Sequence, residues 1–247
     1  PGADISRFGH DGQAYYVSQW YPKPAVYDAE GWHPMSYLRQ GEFYSEFGTY
    51  DVYITTPANY VVMATGELQN EDEVTWLKEL NLFTRKKSNF SSDMSFPPSA
   101  EKTKTLHYTQ ENIHDFAWFA DKRYHVLYDR VALPHSGDTV DTWAAFTNNE
   151  AEMWMFSTDY LKDAVHYYSL WNGDYPYSQV SAVDGVISEG AGMEYPTITL
   201  IGESNKDINL ETVIVHEVGH NWFYGILANN EREDPWLDEG LNSTVEM

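Results

Sequence analysis

Hydrophobic and polar positions follow two different periods along this chain. From Gln13 to Trp20, Glu42 to Thr55 and Tyr60 to Thr65, aromatic and β-branched residues nearly alternate with polar ones, and Ser45, Gly48 and Pro57 punctuate the runs. These predict strands. The stretches 71–80 (EDEVTWLKEL), 102–109 (KTKTLHYT) and 116–120 (FAWFA) continue in the same style, and 88–102, polar with two prolines, reads as a mobile surface loop. Several short strands at this spacing predict a sandwich or saddle-like sheet pair.

Near Thr147 the period changes. Asn148 or Asn149 is placed to cap a helix in which Trp154, Leu161, Val165 and Tyr168 recur at helical spacing, ending at Asn172-Gly173. Short strands near Gln179–Val183 and Tyr195–Ile201 come next. Leu210, Val213, Ile214, Val218 and Trp222 then mark another helix, with Asp207 or Asn209 at its start, and Asp234-Pro235 reads as the cap and first position of a further one. The order predicts two domains: a β-rich one over 1–146 and an α+β one over 147–247.

The helix around 210–222 carries chemistry. His216 and His220 are four apart, so both imidazoles leave one helix face, and Glu217 stands beside the first of them. This H-E-x-x-H pattern is a metal grip with a neighbouring general base. Glu239 lies in the second turn of the next helix, 18 residues after His220, with Glu246 seven further on. Two histidines, one carboxylate and an open fourth position make the ligand set of a catalytic zinc, one per chain. Glu246 is a candidate partner for a ligand histidine, fixing its tautomer. The histidines at 10, 33, 107, 114, 125, 135 and 166 form no ligand-spaced pair and are expected to be structural. Upstream, Gly190-Ala191-Gly192 before Met193-Glu194 suits close approach of an extended peptide to a strand edge.

Charge sharpens the picture. The 247 residues carry a formal −23, of which −17 falls in residues 131–247 (3 basic, 20 acidic). Such a surface repels nucleic-acid phosphate and anionic membranes and attracts cations, a peptide's protonated amino terminus among them. There is no cysteine, so no disulfide framework, and no run of 18 apolar residues that would span a membrane. Pro1 at one end and a helix running into Met247 at the other predict a piece of a longer protein.

H-E-x-x-H, 18 residues and then Glu within Trp236–Gly240 (WLDEG), preceded by GAGMEYP at Gly190–Pro196, resembles the zinc aminopeptidases related to aminopeptidase N and leukotriene hydrolase, the gluzincin metallopeptidases. The resemblance implies an all-β domain followed by a thermolysin-like zinc peptidase domain, incomplete at its C-terminus here, with helical segments beyond. It implies that Glu194 grips the substrate's free α-amino group, with Gly192 and Ala191 along the substrate. It also implies that Gln19, in VSQWYPKP, joins the amine pocket. Tyr21 replaces the glutamine or acid usual two residues on, and Tyr195 stands where the family has asparagine. The family's tyrosine donor to the oxyanion falls beyond Met247, so the chain by itself is expected to turn over poorly. An endopeptidase or epoxide-hydrolase-like variant, and a non-catalytic peptide-binding module, are the competing readings.

Overall fold

The computed structural model describes residues 7–38, 42–188, 191–204 and 207–247. The β-rich part opens with β1 (Gly9–Asp11), β2 (Ala14–Val17), β3 (Val26–Asp28), β4 (Gly31–His33), β5 (Gly48–Pro57), β6 (Val61–Ala64) and β7 (Glu67–Leu68). After helix α1 (Glu71–Arg85) come β8 (Thr103–Ile113) and β9 (Trp118–Asp121). They form a four-stranded sheet β1-β2-β9-β6, a three-stranded sheet β5-β8-β7 and the hairpin β3-β4. Ile54, Tyr60, Val62, Leu106, Tyr108, Phe116 and Ala120 fill a common core.

The strand expected at 71–80 is a helix. Its first turn holds Glu71, Asp72 and Glu73, which favour the positive end of a helix dipole, and Glu73, Leu77, Asn81 and Thr84 are its buried residues at helical spacing. Alternation of Val74 with Trp76 imitated a strand only locally. Tertiary contact locks the helix in place: Asn81 Oδ1 accepts from Tyr128 N at 3.1 Å and from Arg85 Nε at 2.9 Å.

Strands β10 (His125–Ala132), β11 (Thr139–Phe146), β12 (Gln179–Asp184), β13 (Gly192–Tyr195) and β14 (Ile198–Ile201) form a five-stranded sheet ordered β10-β11-β12-β14-β13. β11 runs parallel to β12 from Asp141–Gln179 to Ala145–Val183. A division at 146/147 would cut this sheet, because two of its strands precede that point. Strand pairing joins what the change of period separates.

Between β11 and β12 lie α2 (Ala151–Trp154) and α3 (Ser157–Asn172), and after β14 come α4 (Asp207–Gly219) and α5 (Leu241–Glu246). Neither Asn148 nor Asn149 caps the helix that follows. Asn148 Oδ1 meets His125 Nε2 at 2.8 Å, Asn149 Nδ2 donates to Glu203, and the chain turns instead at Glu150 with φ 55°.

Alternation along the sheet strands separates two cores. Val140, Ala144, Phe146 and Ala182 face Leu161, Val165 and Tyr168 of α3 and Leu210, Ile214 and Val218 of α4. Trp143, Ala145, Val183, Met193 and Leu200 face Tyr16, Met63 and Phe119 of the β-rich part and Leu77 of α1. Each such fully buried aliphatic side chain contributes roughly 1.5–3 kcal/mol. Among the described residues no helix is long and apolar enough to cross a membrane.

Candidate metal centre and substrate cleft

Burial of Leu210, Ile214 and Val218 against the sheet fixes the rotation of α4 and turns His216, Glu217 and His220 toward the cleft. The two Nε2 atoms stand 3.2 Å apart. Glu239 Oε2 lies 3.2 Å from His216 Nε2 and 3.7 Å from His220 Nε2. A tetrahedral zinc with bonds of about 2.0–2.2 Å separates its ligand atoms by about 3.3–3.6 Å. The three donors therefore fit zinc in kind and spacing.

The outer nitrogens are engaged too. His216 Nδ1 meets Glu246 Oε2 at 2.8 Å, and His220 Nδ1 lies 3.0 Å from the Phe223 carbonyl, so each ring offers Nε2 to a metal. Burial opposes charge on His216, but the Glu239 and Glu246 hydrogen bonds outweigh it and raise its pKa to about 9. Burial and the charge of His216 lower His220, and the His216 hydrogen bond lowers Glu239.

Three features that sequence patterns did not signal hold this geometry. Asn242, fully buried, donates from Nδ2 to the His216 carbonyl at 2.7 Å and accepts from Tyr168 OH at 2.7 Å. Gly219 leaves room for both, since a Cβ there would overlap Asn242 and Tyr168. Asn221 ties the wide π-type turn 221–226 to the sheet, accepting from Thr197 N at 2.9 Å and donating to the Val218 carbonyl at 2.9 Å. Asp234 does not cap the last helical segment through its side chain; its Oδ1 accepts from Trp236 Nε1 at 3.3 Å and its carbonyl from Leu237 N.

Glu217 and Glu194 come together across β13, the outer strand of the sheet. The bare Cα of Gly192 makes this possible, because a Cβ there would overlap the Glu217 carboxylate. Gly192 thus makes room for the Glu217 side chain. Gly190 lies outside the described residues. The Ala191 carbonyl already accepts from Gly202 N at 2.8 Å. Glu194 Oε1 and Glu217 Oε2 are buried without a hydrogen-bond partner. Burial raises Glu194 to about 8, with Glu42 adding to it, and burial together with the Glu194 charge raises Glu217 well above the carboxylate range.

Gln19 follows β2 with φ 50°, and its Nε2 is buried and unpartnered. Its neighbour Ser18 accepts from Tyr195 OH at 2.9 Å and donates to the Arg7 carbonyl at 2.7 Å, which brings the Gln19 turn against the residue after Glu194. Tyr21 faces elsewhere, donating to Asp115 Oδ1 at 2.8 Å.

This chain has the fold of the M1 zinc metallopeptidases over the part of them that it spans. Among solved structures, it is similar to the M1 zinc metallopeptidase of Deinococcus radiodurans, at TM-score 0.60 and 19% identity over 82% of this chain and 40% of that one. A mutant of that enzyme bound to a Tyr-Ser-Ala substrate matches at TM-score 0.54 and 18% identity with the same coverage. Among curated proteins, aminopeptidase Q of Acinonyx jubatus and of Felis catus are each 25% identical over 138 residues, 49% of this chain and 13% of theirs. No family model matches the chain.

Proposed function

We propose that this chain carries the catalytic centre of a zinc aminopeptidase, which removes amino-terminal residues from peptides. The observation that carries the reading is the buried Glu194 carboxylate, unpartnered and side by side with Glu217, next to the His216, His220 and Glu239 donors. In this reading residues 147–247 belong to a thermolysin-like domain that also takes in β10 and β11, and the sheets before it form the β-domain. His216, His220 and Glu239 hold one zinc, and Glu246 orients His216. Bound zinc supplies a Lewis acid that makes water a nucleophile near neutral pH.

Glu217 accepts the proton of the attacking water at its unpartnered Oε2 and delivers it to the leaving amine. Glu194 binds the substrate's α-ammonium, and Gln19 borders the same pocket. A buried carboxylate strongly favours an ammonium over an acylated nitrogen, since the acylated substrate leaves that charge without a partner. Ala191 and Gly192 line the outer strand edge along which the peptide extends. The chain spans 40% of the solved relative's length and 13% of the curated one's, and in this reading the oxyanion donor comes from outside residues 1–247.

The test is zinc-supplemented hydrolysis of a short peptide with a free amino terminus and of its acetylated twin, by the longest form of the protein. Cleavage of the free peptide alone is expected. Cleavage of both would make the protein an endopeptidase and remove the role given to Glu194. Cleavage of neither, with zinc bound, would favour a binding module.

A further inference from the structure

The face of the five-stranded sheet turned away from α4 carries a feature that the metal centre does not use. Between β6, β7, β8 and α1 on one side and β11 and β12 on the other lies a half-open cavity of about 300 Å³. Met63, Leu77, Tyr108 and Trp143, all buried, give it apolar and aromatic walls. Polar groups in the walls already have partners. Tyr108 OH donates to the Val62 carbonyl at 2.9 Å, Ser181 Oγ donates to Gln179 Oε1 at 2.9 Å, and Asp141 Oδ1 accepts from Arg130 Nε at 3.0 Å. A ligand there meets carbon surface, in a volume within the range of small-molecule sites.

Glu67 stands at the mouth of this cavity. It is exposed and accepts from Ser178 Oγ, and among the described residues it has no cationic partner. None of the described residues that line the cavity is a lysine, arginine or histidine. A ligand with an apolar body beside Trp143 and an ammonium at Glu67 matches walls and mouth together, whereas a carboxylate is repelled.

The walls reach the metal centre through one buried residue. Gln179 Nε2 donates to Thr197 Oγ1 at 2.9 Å, and Gly66 N, from the facing wall, donates to the same oxygen at 3.0 Å. Thr197, fully buried in the turn between β13 and β14, stands at φ 64°, a strained value for a β-branched residue. Its N–H donates at 2.9 Å to Oδ1 of Asn221, the residue after His220. Donors from the cavity walls thus hold the turn that positions Asn221.

We propose that this cavity is a regulatory site for a small amphipathic amine, an apolar body carrying one ammonium, and that its occupation strengthens the metal centre through Gln179, Thr197 and Asn221. A ligand that bridges the two walls keeps Gln179 and Gly66 on Thr197, and so favours the arrangement in which Asn221 braces the turn beside His220. The inference needs the zinc centre and does not rest on the aminopeptidase reading.

The test is calorimetric binding of 2-phenylethylamine, 2-phenylethanol and 3-phenylpropionate to the zinc-free chain, followed by zinc titration with and without saturating amine. The amine is expected to bind at least about tenfold more tightly than the carboxylate, with the alcohol between them. Glu67→Gln, at an exposed position, is expected to cut that ratio to about threefold or less, and Glu194→Gln to leave it unchanged. Saturating amine is expected to raise zinc affinity about fivefold, and zinc to raise amine affinity by the same factor. Repeating the titration in Glu194→Gln removes any contribution from amine held in the metal cleft. In Thr197→Gly, where glycine accepts φ 64° and lacks the hydroxyl, amine binding is expected to persist while the coupling falls to about twofold or less. Equal binding of amine and carboxylate would overturn the inference, as would a preference lost in Glu194→Gln and kept in Glu67→Gln. Zinc affinity unchanged by the amine, or coupling that survives in Thr197→Gly, would overturn it equally.

Discussion

The metal grip and the acidic cage lie side by side and are built on opposite plans. In the grip every donor has a partner: His216 between Glu239 and Glu246, His220 on the Phe223 carbonyl, and the helix backbone braced by Asn242. In the cage, Glu194, Glu217, Glu231 and Asp238 are all buried and each keeps an oxygen without a hydrogen-bond partner. The grip is therefore organised before any ligand arrives, whereas burial and mutual repulsion hold the carboxyl groups of the cage above the usual carboxylate range. Preorganised donors give affinity and geometry; a buried oxygen without a partner gives selectivity, because a ligand that offers it no donor leaves it unpaired.

Substitutions can set the two plans against each other. Glu217→Gln should leave zinc content unchanged and reduce kcat about 10²–10⁴-fold, the range for a general base; loss of zinc together with activity would place Glu217 in the grip. Gly192→Ala should act on the same carboxylate from β13, costing about a hundredfold in kcat through a displaced Glu217, again with zinc retained. A competitive zinc titration of Glu246→Gln should show a roughly 10–100-fold weaker site. Unchanged affinity there would mean that Glu246 does not orient His216.

The smallest effect concerns His114, a histidine placed like the members of the cage. It is buried against Tyr224, with ring centres 4.3 Å apart, and neither ring nitrogen has a hydrogen-bond partner. Burial lowers its pKa from 6.5 to about 4. Between those values the unfolded chain takes up a proton that the folded chain refuses. Its contribution is constant above pH 6.5, and stability falls as pH drops through the window, by up to about 1.4 kcal/mol per unit. Denaturant unfolding from pH 7 to pH 4 should show that slope shrink in His114→Gln. An identical slope in the variant would assign the acid limb to other groups.

Much of this molecule was legible because its signals are local. Period-two alternation marked β2, β5, β6 and β8, and the spacing of Leu161, Val165 and Tyr168 marked α3. Where a local signal was ambiguous it misled: α1 shows strand-like alternation over a few residues, and only packing of Leu77 and hydrogen bonding of Asn81 against β10 show the helix. The 146/147 division crosses the five-stranded sheet for a related reason, since a parallel pairing such as β11 with β12 leaves no mark in either strand's own pattern.

By itself the sequence determined the grip. Four residues of helix fix His216 over His220 whatever surrounds them, and a second helix at fixed spacing presents Glu239 and Glu246. Only the tertiary structure decided the cage. Glu42, Glu194, Glu217, Glu231 and Asp238 come from separate stretches, and no periodicity relates them. Like charges repel in an unfolded chain, so apolar packing behind β13 and α4 had to bring these carboxylates together.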